Sequence, residues 1–231
     1  MFGRKSPVIT EATALPGRSV PVNPNPAPNV VLGTELLAEP RETEEVIYLA
    51  AGCFWGVEEI YWELGAKATA VGYMGGFTPN PTYEEVCSGA TEHAEVVRVV
   101  FDAKTLSLRS VLRTFWECHD PTTLNRQGND IGTQYRSAIY YTTREQAHLA
   151  VVSRDSYEKA LEAEGKGQIV TEFRNAESLQ FYLAEDYHQQ YLKKNPNGYR
   201  CHAATGIPCP MPGAGPLGGS SAGGAGGNLI G

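Results

Sequence analysis

Between residues 44 and 193 short β-branched runs alternate with stretches of helical spacing, and this alternation confines the chain to a mixed architecture. Residues 44–52, EEVIYLAAG, read as a buried strand, and FWGVEEIYWEL follows with Phe54, Val57, Tyr61 and Leu64 at helical spacing. KATAVGYMGG reads as a second strand ending in a Gly-rich turn. Thr82 and Glu85 have the spacing of a capping box, which starts a short helix near Tyr83. AEVVRVVFD, residues 94–102, alternates as a strand, and Leu108, Val111, Leu112 and Phe115 mark the next helix. YRSAIYYT, residues 135–142, is another strand. Thr143 and Gln146 then cap a long helix that reaches about Glu164. QIVTEF, residues 168–173, is the last regular strand expected, before a short helix from Asp186 to Lys193. Several strands alternate as if half-buried, which favours an α+β sheet with helices packed on it over a doubly wound parallel sheet.

The two ends read differently. Residues 1–43 form an extension in which Pro16, Pro21, Pro24, Pro26 and Pro28 fall close together and apolar periodicity is missing. Residues 213–231, GAGPLGGSSAGGAGGNLIG, have the composition of a flexible linker. The domain expected between them covers residues 44–212. No apolar run approaches the ~18 residues that span a bilayer, and the N-terminus lacks the apolar segment of a secretory signal. A net charge of -7, with no basic block against it, argues against nucleic acid as a partner. Five cysteines, an odd number and unevenly spaced, do not make a secreted disulfide scaffold; a reducing, cytoplasmic setting fits them better.

Cys53 is the most informative of the five. It stands in Gly52-Cys53-Phe54-Trp55-Gly56, where a buried strand gives way to a helix. The free N–H groups of a first helical turn favour an anion, and the thiolate is the reactive form of cysteine. The bland alternative is a packed cysteine with Phe54 and Trp55 in the core. Cys201 and Cys209 follow the last expected helix in a Gly- and Pro-containing coil, where accessible, mobile thiols would suit disulfide exchange. Cys87 and Cys118 lie in or at the ends of helices and read as packing residues. Glu95 opens a strand and shares a face with Val97, Val99 and Phe101. On an inward face its carboxyl loses water, its pKa rises, and it suits general-acid work; at an exposed strand end it is solvated. Tyr83 and Tyr135 follow turns and could aim hydroxyls into a cleft, or simply pack among the twelve tyrosines.

With these residues assembled, the sequence resembles the class A peptide methionine sulfoxide reductases over residues 46–211. The resemblance rests on Gly52-Cys53-Phe54-Trp55-Gly56-Val57-Glu58, Gly75-Gly76 with Pro79-Asn80-Pro81-Thr82-Tyr83, and Val86-Cys87-Ser88-Gly89. It continues with His93-Ala94-Glu95, Gly128-Asn129-Asp130, Gly132-Thr133-Gln134-Tyr135-Arg136-Ser137-Ala138-Ile139-Tyr140 and His188-Gln189-Gln190-Tyr191-Leu192. It implies a two-layer α/β plait, ferredoxin-like with packed helices, and a long C-terminal coil. It also implies reduction of methionine (S)-sulfoxide, free or in proteins and peptides. Cys53 is then the nucleophile and Glu95 the acid that protonates the sulfoxide oxygen. Tyr83 and Tyr135 bond that oxygen, Asp130 supports the polar side, and Phe54 and Trp55 form the slot for the methyl group. Cys201 resolves the sulfenic acid, and Cys209 carries the disulfide outward to thioredoxin or a similar dithiol. No cofactor, metal or membrane is implied, and a monomer is expected.

Two local features depart from the family's common pattern. Glu92 precedes His93, where a small residue is frequent, and would raise the pKa of Glu95 further. Arg200 precedes Cys201 and would favour its thiolate. Two rival readings compete: a Cys/His hydrolase with Cys53 activated by His93 or His188, and a zinc module using Cys118, His119, Cys201, His202 and Cys209, whose spacing lacks the usual close pairs.

Overall fold

The strand read in AEVVRVVFD becomes β3 (Ala94–Asp102), which is flanked on both sides: β1 (Glu44–Ala51) and β2 (Ala68–Met74) both pair with it antiparallel. The structure is a computed structural model and describes residues 9–201 and 203–212. The flexible tail expected over 213–231 lies outside the described residues. Helix α1 (Phe54–Leu64) crosses from β1 to β2, and α3 (Leu108–Glu117) lies between β3 and β6 (Ser137–Tyr141). Antiparallel pairing of β6 with β1 gives the order β6-β1-β3-β2, the α+β plait with a βαββαβ chain path. β8 (Tyr182–Leu183) extends one edge antiparallel to β2, and β7 (Glu172–Asn175) extends the other parallel to β6. The remaining elements are α2 (Tyr83–Cys87), a small hairpin of β4 (Arg126–Gln127) and β5 (Asp130–Ile131), α4 (Arg144–Ala163) and α5 (Tyr191–Lys194). Among the described residues no helix is long and apolar enough to cross a membrane.

Helices α1, α3 and α4 cover one face of the sheet. Ile47, Leu49, Val71, Val97, Val99 and Phe101 meet Phe54, Val57, Val111, Phe115 and Trp116 there, all buried. The buried Trp116 indole N–H donates to Ser153 Oγ on α4 at 2.9 Å, so the one polar atom of that ring is satisfied.

The other face is where expectation and structure part. Half-buried alternation implied a solvated side, yet every residue of β2 and all but the last of β3 are buried. The cover comes from residues 176–181 and from the N-terminal segment, expected to be a flexible extension. Leu36 packs on Ala70 and Leu183, and the guanidinium of the buried Arg98 donates to the carbonyls of Ala38 (2.7 Å) and Leu36 (3.4 Å). Arg98 made the strand look half-solvated; its charge is met by carbonyls instead of water. Residues 9–43 outside β1 carry no helix or strand, but they run as a strap held by side-chain hydrogen bonds. Asn29, buried, donates to Thr69 and accepts from the N–H groups of Val31 and Leu32. Asn23 donates to Asp186, and Arg18 forks onto Glu85 at 2.8 and 2.9 Å.

Smaller differences are local. The strand expected from residue 135 starts at Ser137, because Thr133–Tyr135 forms a 3-10 turn. Of the strand expected over 168–173 only residues from Glu172 onward pair. The last helix shrinks to α5, since 186–190 form turns and Gln190 adopts a φ of 45°.

Candidate active site

β1 ends at Ala51, and Gly52 turns the chain with a φ of 91°, where an added Cβ would lie 2.7 Å from the Gln127 side chain. The turn sets Cys53 at the N-cap of α1, 8% exposed. Glu95 faces the same spot from β3. It is 2% exposed, and its Oε2 accepts the Phe54 N–H at 3.0 Å. The carboxyl thus takes up one of the free N–H groups of the first turn of α1, beside the sulfur. Burial pushes its pKa up to about 8; the Phe54 N–H pulls the other way, and Asp130 adds to the rise. Glu92 is not among the groups that move it: that residue stands at a φ of 59° and its charge acts on Arg136.

Helix-start stabilisation of a Cys53 thiolate was the expectation, and here it is corrected. Burial pushes the thiol well above its ordinary range and the Glu95 carboxylate adds to that, while the Trp55 N–H opposes them. Desolvation outweighs the local dipole, so both the thiol and the carboxyl keep their protons at neutral pH. Tyr83 and Tyr135 are half-buried. Burial pushes both phenols up and the Glu95 carboxylate adds, so both remain hydroxyl donors. Asp130 stands at the rim and accepts from the Tyr199 hydroxyl at 3.2 Å.

An aromatic wall completes the site. Phe54 is buried and Trp55 half-buried; the Trp55 indole N–H donates to His188 Nδ1 at 3.0 Å, and its ring stacks on Tyr191 at 3.8 Å. The rings of Phe54 and Tyr83 lie 5.1 and 4.5 Å from that of His188. These supporting roles of His188 and Tyr191 escaped the sequence reading, although the His188–Leu192 motif had drawn attention to the segment. Burial lowers the pKa of His188 to about 4, so the ring is neutral and accepts from Trp55. His93 bonds Gly76 N–H and the Thr78 carbonyl. His93 is thus engaged at both ring nitrogens and His188 at Nδ1, and neither imidazole hydrogen-bonds Cys53 as a Cys/His hydrolase needs.

The remaining cysteines separate. Cys201 lines the same cavity of about 130 Å³ as Cys53. Burial and then Asp130 push its thiol up, and Arg200 makes no contribution because its guanidinium lies on Glu59. Cys209 is not brought to the site. Expected to be accessible, it is 4% exposed, packed on Met211 with its N–H on Glu117. Cys87, read as a packing residue, is exposed at the end of α2 with its thiol against the Tyr83 phenol. Cys118 packs against the helix-side core and also lines the Cys53 cavity. Among the described residues no group of three or more His, Cys, Asp or Glu could hold a metal ion; His202 lies outside them.

A protonated thiol beside a protonated carboxyl, walled by aromatic rings, can accept an oxygen atom from a polar S=O group without leaving a net charge in the buried site; this is the chemistry of a thiol-dependent reductase. Comparison with known proteins names the family. The family described as peptide methionine sulfoxide reductase matches residues 45–207. A Caulobacter vibrioides protein named peptide methionine sulfoxide reductase MsrA 1 is 54% identical, over 86% of this chain and 91% of its own length. The Corynebacterium glutamicum (strain R) MsrA is 49% identical over 90% and 96%. The solved methionine sulfoxide reductase A of Corynebacterium diphtheriae superimposes with a TM-score of 0.79 at 45% identity, covering 90% of this chain and all of that one. The reduced form of Saccharomyces cerevisiae Mxr1 gives 0.61 at 36%, over 72% and 95%. The chain belongs to the peptide methionine sulfoxide reductase family and is an oxidoreductase that reduces methionine sulfoxide with a thiol.

Proposed function

We propose that Cys53 is the nucleophile and Glu95 the proton donor in reduction of methionine (S)-sulfoxide, in oxidised proteins and peptides and as the free amino acid. The observation that carries this is the Glu95 carboxyl on the Phe54 N–H, buried and proton-bearing beside Cys53 at the helix start. Sulfoxide oxygen is a poor leaving group until protonated. Glu95 gives it a proton while Cys53 Sγ bonds to the sulfoxide sulfur, and the thiol proton replaces the one Glu95 gave. The hydroxyl then passes to Cys53 Sγ as the S–S bond of this adduct and the substrate S–O bond break, leaving Cys53 as a sulfenic acid and releasing methionine; the thiol sulfur is oxidised by two electrons and the substrate sulfur reduced by two. Tyr83 and Tyr135 donate hydrogen bonds to the oxygen, Asp130 keeps that side polar, and Trp55 with Phe54 receives the terminal methyl.

Cys201 then attacks the sulfenic sulfur; water leaves and a Cys53–Cys201 disulfide forms. Cys209 passes that disulfide to thioredoxin or a similar dithiol. Its burial requires the coil around it to lift first. Five free thiols suit a reducing compartment such as the cytoplasm, and one chain supplies every group of the reaction, which suits a monomer.

The test gives the reduced protein peptides carrying each sulfoxide epimer, with dithiothreitol, and follows methionine by mass spectrometry beside Cys53→Ser. Reduction of the S epimer alone, lost in the variant, is expected. Turnover by a folded Cys53→Ser protein would overturn the assignment of the nucleophile.

A further inference from the structure

The residues around Cys201 have no secondary structure to hold them. Side-chain bonds hold them instead, most of them made by one guanidinium. Arg200 Nε and Nη2 donate to Glu59 Oε2 and Oε1 at 2.7 and 2.8 Å, a two-point fork onto the side of α1. Its remaining nitrogen, Nη1, donates to the carbonyls of Pro196 (2.9 Å) and Gly198 (3.4 Å), in the chain that leads to Cys201. Glu59 and Arg200 both line the cavity that Cys53 and Cys201 share. A second tie, from the Tyr199 hydroxyl to Asp130, and a third, from the Cys201 thiol to the Gln127 carbonyl at 3.5 Å, hold the other side.

We infer that the Arg200–Glu59 fork is a positioning device that sets Cys201 at the mouth of the Cys53 cavity and so fixes the rate at which the sulfenic acid is captured. The inference rests on the reading of Cys201 as the resolving thiol. A solvent-exposed ion pair contributes little to stability, but orientation governs the rate of a reaction between two groups on one chain. The capture step is Cys53–SOH plus Cys201–SH giving the disulfide and water, and it needs no outside reagent. Without the fork, residues 196–201 sample more space and the two sulfurs meet less often. An uncaptured sulfenic acid is open to a second oxygen from peroxide, which gives the sulfinic acid and water. Capture rate and resistance to over-oxidation therefore have one cause. Lysine at 200 keeps the charge but loses the planar fork.

The experiment mixes fully reduced enzyme with one equivalent of peptide sulfoxide, without reductant, and quenches in time. Methionine released reports the first step; the mapped Cys53–Cys201 disulfide reports the second. For Arg200→Ala and Glu59→Gln, methionine release at the parent rate and disulfide formation slowed about tenfold or more are expected. Arg200→Lys should recover part of the loss. With peroxide added, Cys53 sulfinic acid should accumulate in the alanine variant ahead of the parent. Disulfide formation by Arg200→Ala at the parent rate would overturn the inference, and so would an equal slowing of both steps, which would mark a general structural role. Cys201→Ser run alongside separates the two claims: a Cys53 disulfide formed there at the parent rate would remove the premise, whatever Arg200→Ala does.

Discussion

Two protons decide what the site does, one on Cys53 and one on Glu95. The carboxyl, with its pKa raised to about 8, carries its proton below that value and loses it above. Because the protonated acid is the competent form, the single-turnover rate of methionine formation should be flat up to about pH 8 and fall beyond it. Glu95→Gln keeps an oxygen for the Phe54 N–H but has no acidic proton, so it should lower that rate by about 10²- to 10⁴-fold and abolish the alkaline limb. Stopped-time quenching across pH 6–10 checks both; an unchanged limb in the variant would assign it to another group. The inward face of Glu95 was legible in the sequence, since Val97, Val99 and Phe101 repeat at period two behind it. The protonation of Cys53 was not. It depends first on burial and then on Glu95, Asp130 and Cys201, all supplied by distant segments, whereas the helix start is local.

At the scale of elements, the strap formed by the N-terminal segment is what the sequence hid. Its ties are scattered single bonds, from side chains and from the N–H groups of Leu15 and Arg18, with Leu36 as an isolated apolar contact; these leave no periodic trace, and its prolines read only as an absence of structure. The regular elements were legible where one local rule fixed them. Thr82 and Glu85 form both bonds of the capping box, and Thr143 caps α4 through the Gln146 N–H. The two-residue strand β8 was invisible because its pairing with the distant β2 alone defines it, and the β4–β5 hairpin is too short to leave a periodic trace. Asn29 is the strap's buried tie. Asn29→Ala removes bonds to Thr69 and leaves two N–H groups without a partner, so it should cost about 1–3 kcal/mol. Arg18→Ala removes a half-exposed ion pair with Glu85, which water screens, and should cost less than Asn29→Ala. Urea midpoints at a common m-value measure both; a larger loss at Arg18 would reverse the ranking of the two ties.

Across the whole molecule, the thiols are graded by access. Cys87 is exposed, Cys201 and Cys118 are half-buried, and Cys53 and Cys209 are buried. Alkylation of the reduced protein should mark Cys87 first and Cys209 among the last. Once Cys53 and Cys201 are joined, Cys209 should react faster, since the proposed relay needs its coil to leave Glu117 and the α4 contacts of Tyr157 with Ile207 and Ser156 with Pro210. Full turnover by Cys209→Ser with a thioredoxin system would remove the relay and that expectation together. The strap has a consequence of another kind, in the order of events at the ribosome. Asn23 and Val30 leave the exit tunnel early, yet their partners Asp186 and Gln190 follow about 160 residues later. The strap can therefore be seated only in stages, its ties to Thr69, Glu85 and Arg98 becoming possible well before those to Asp186 and Gln190. Until residues 176–190 have been synthesised, the strap lacks the bonds of Asn23 and Val30, and the back face of the sheet lacks the cover of Ala176, Leu179 and Phe181.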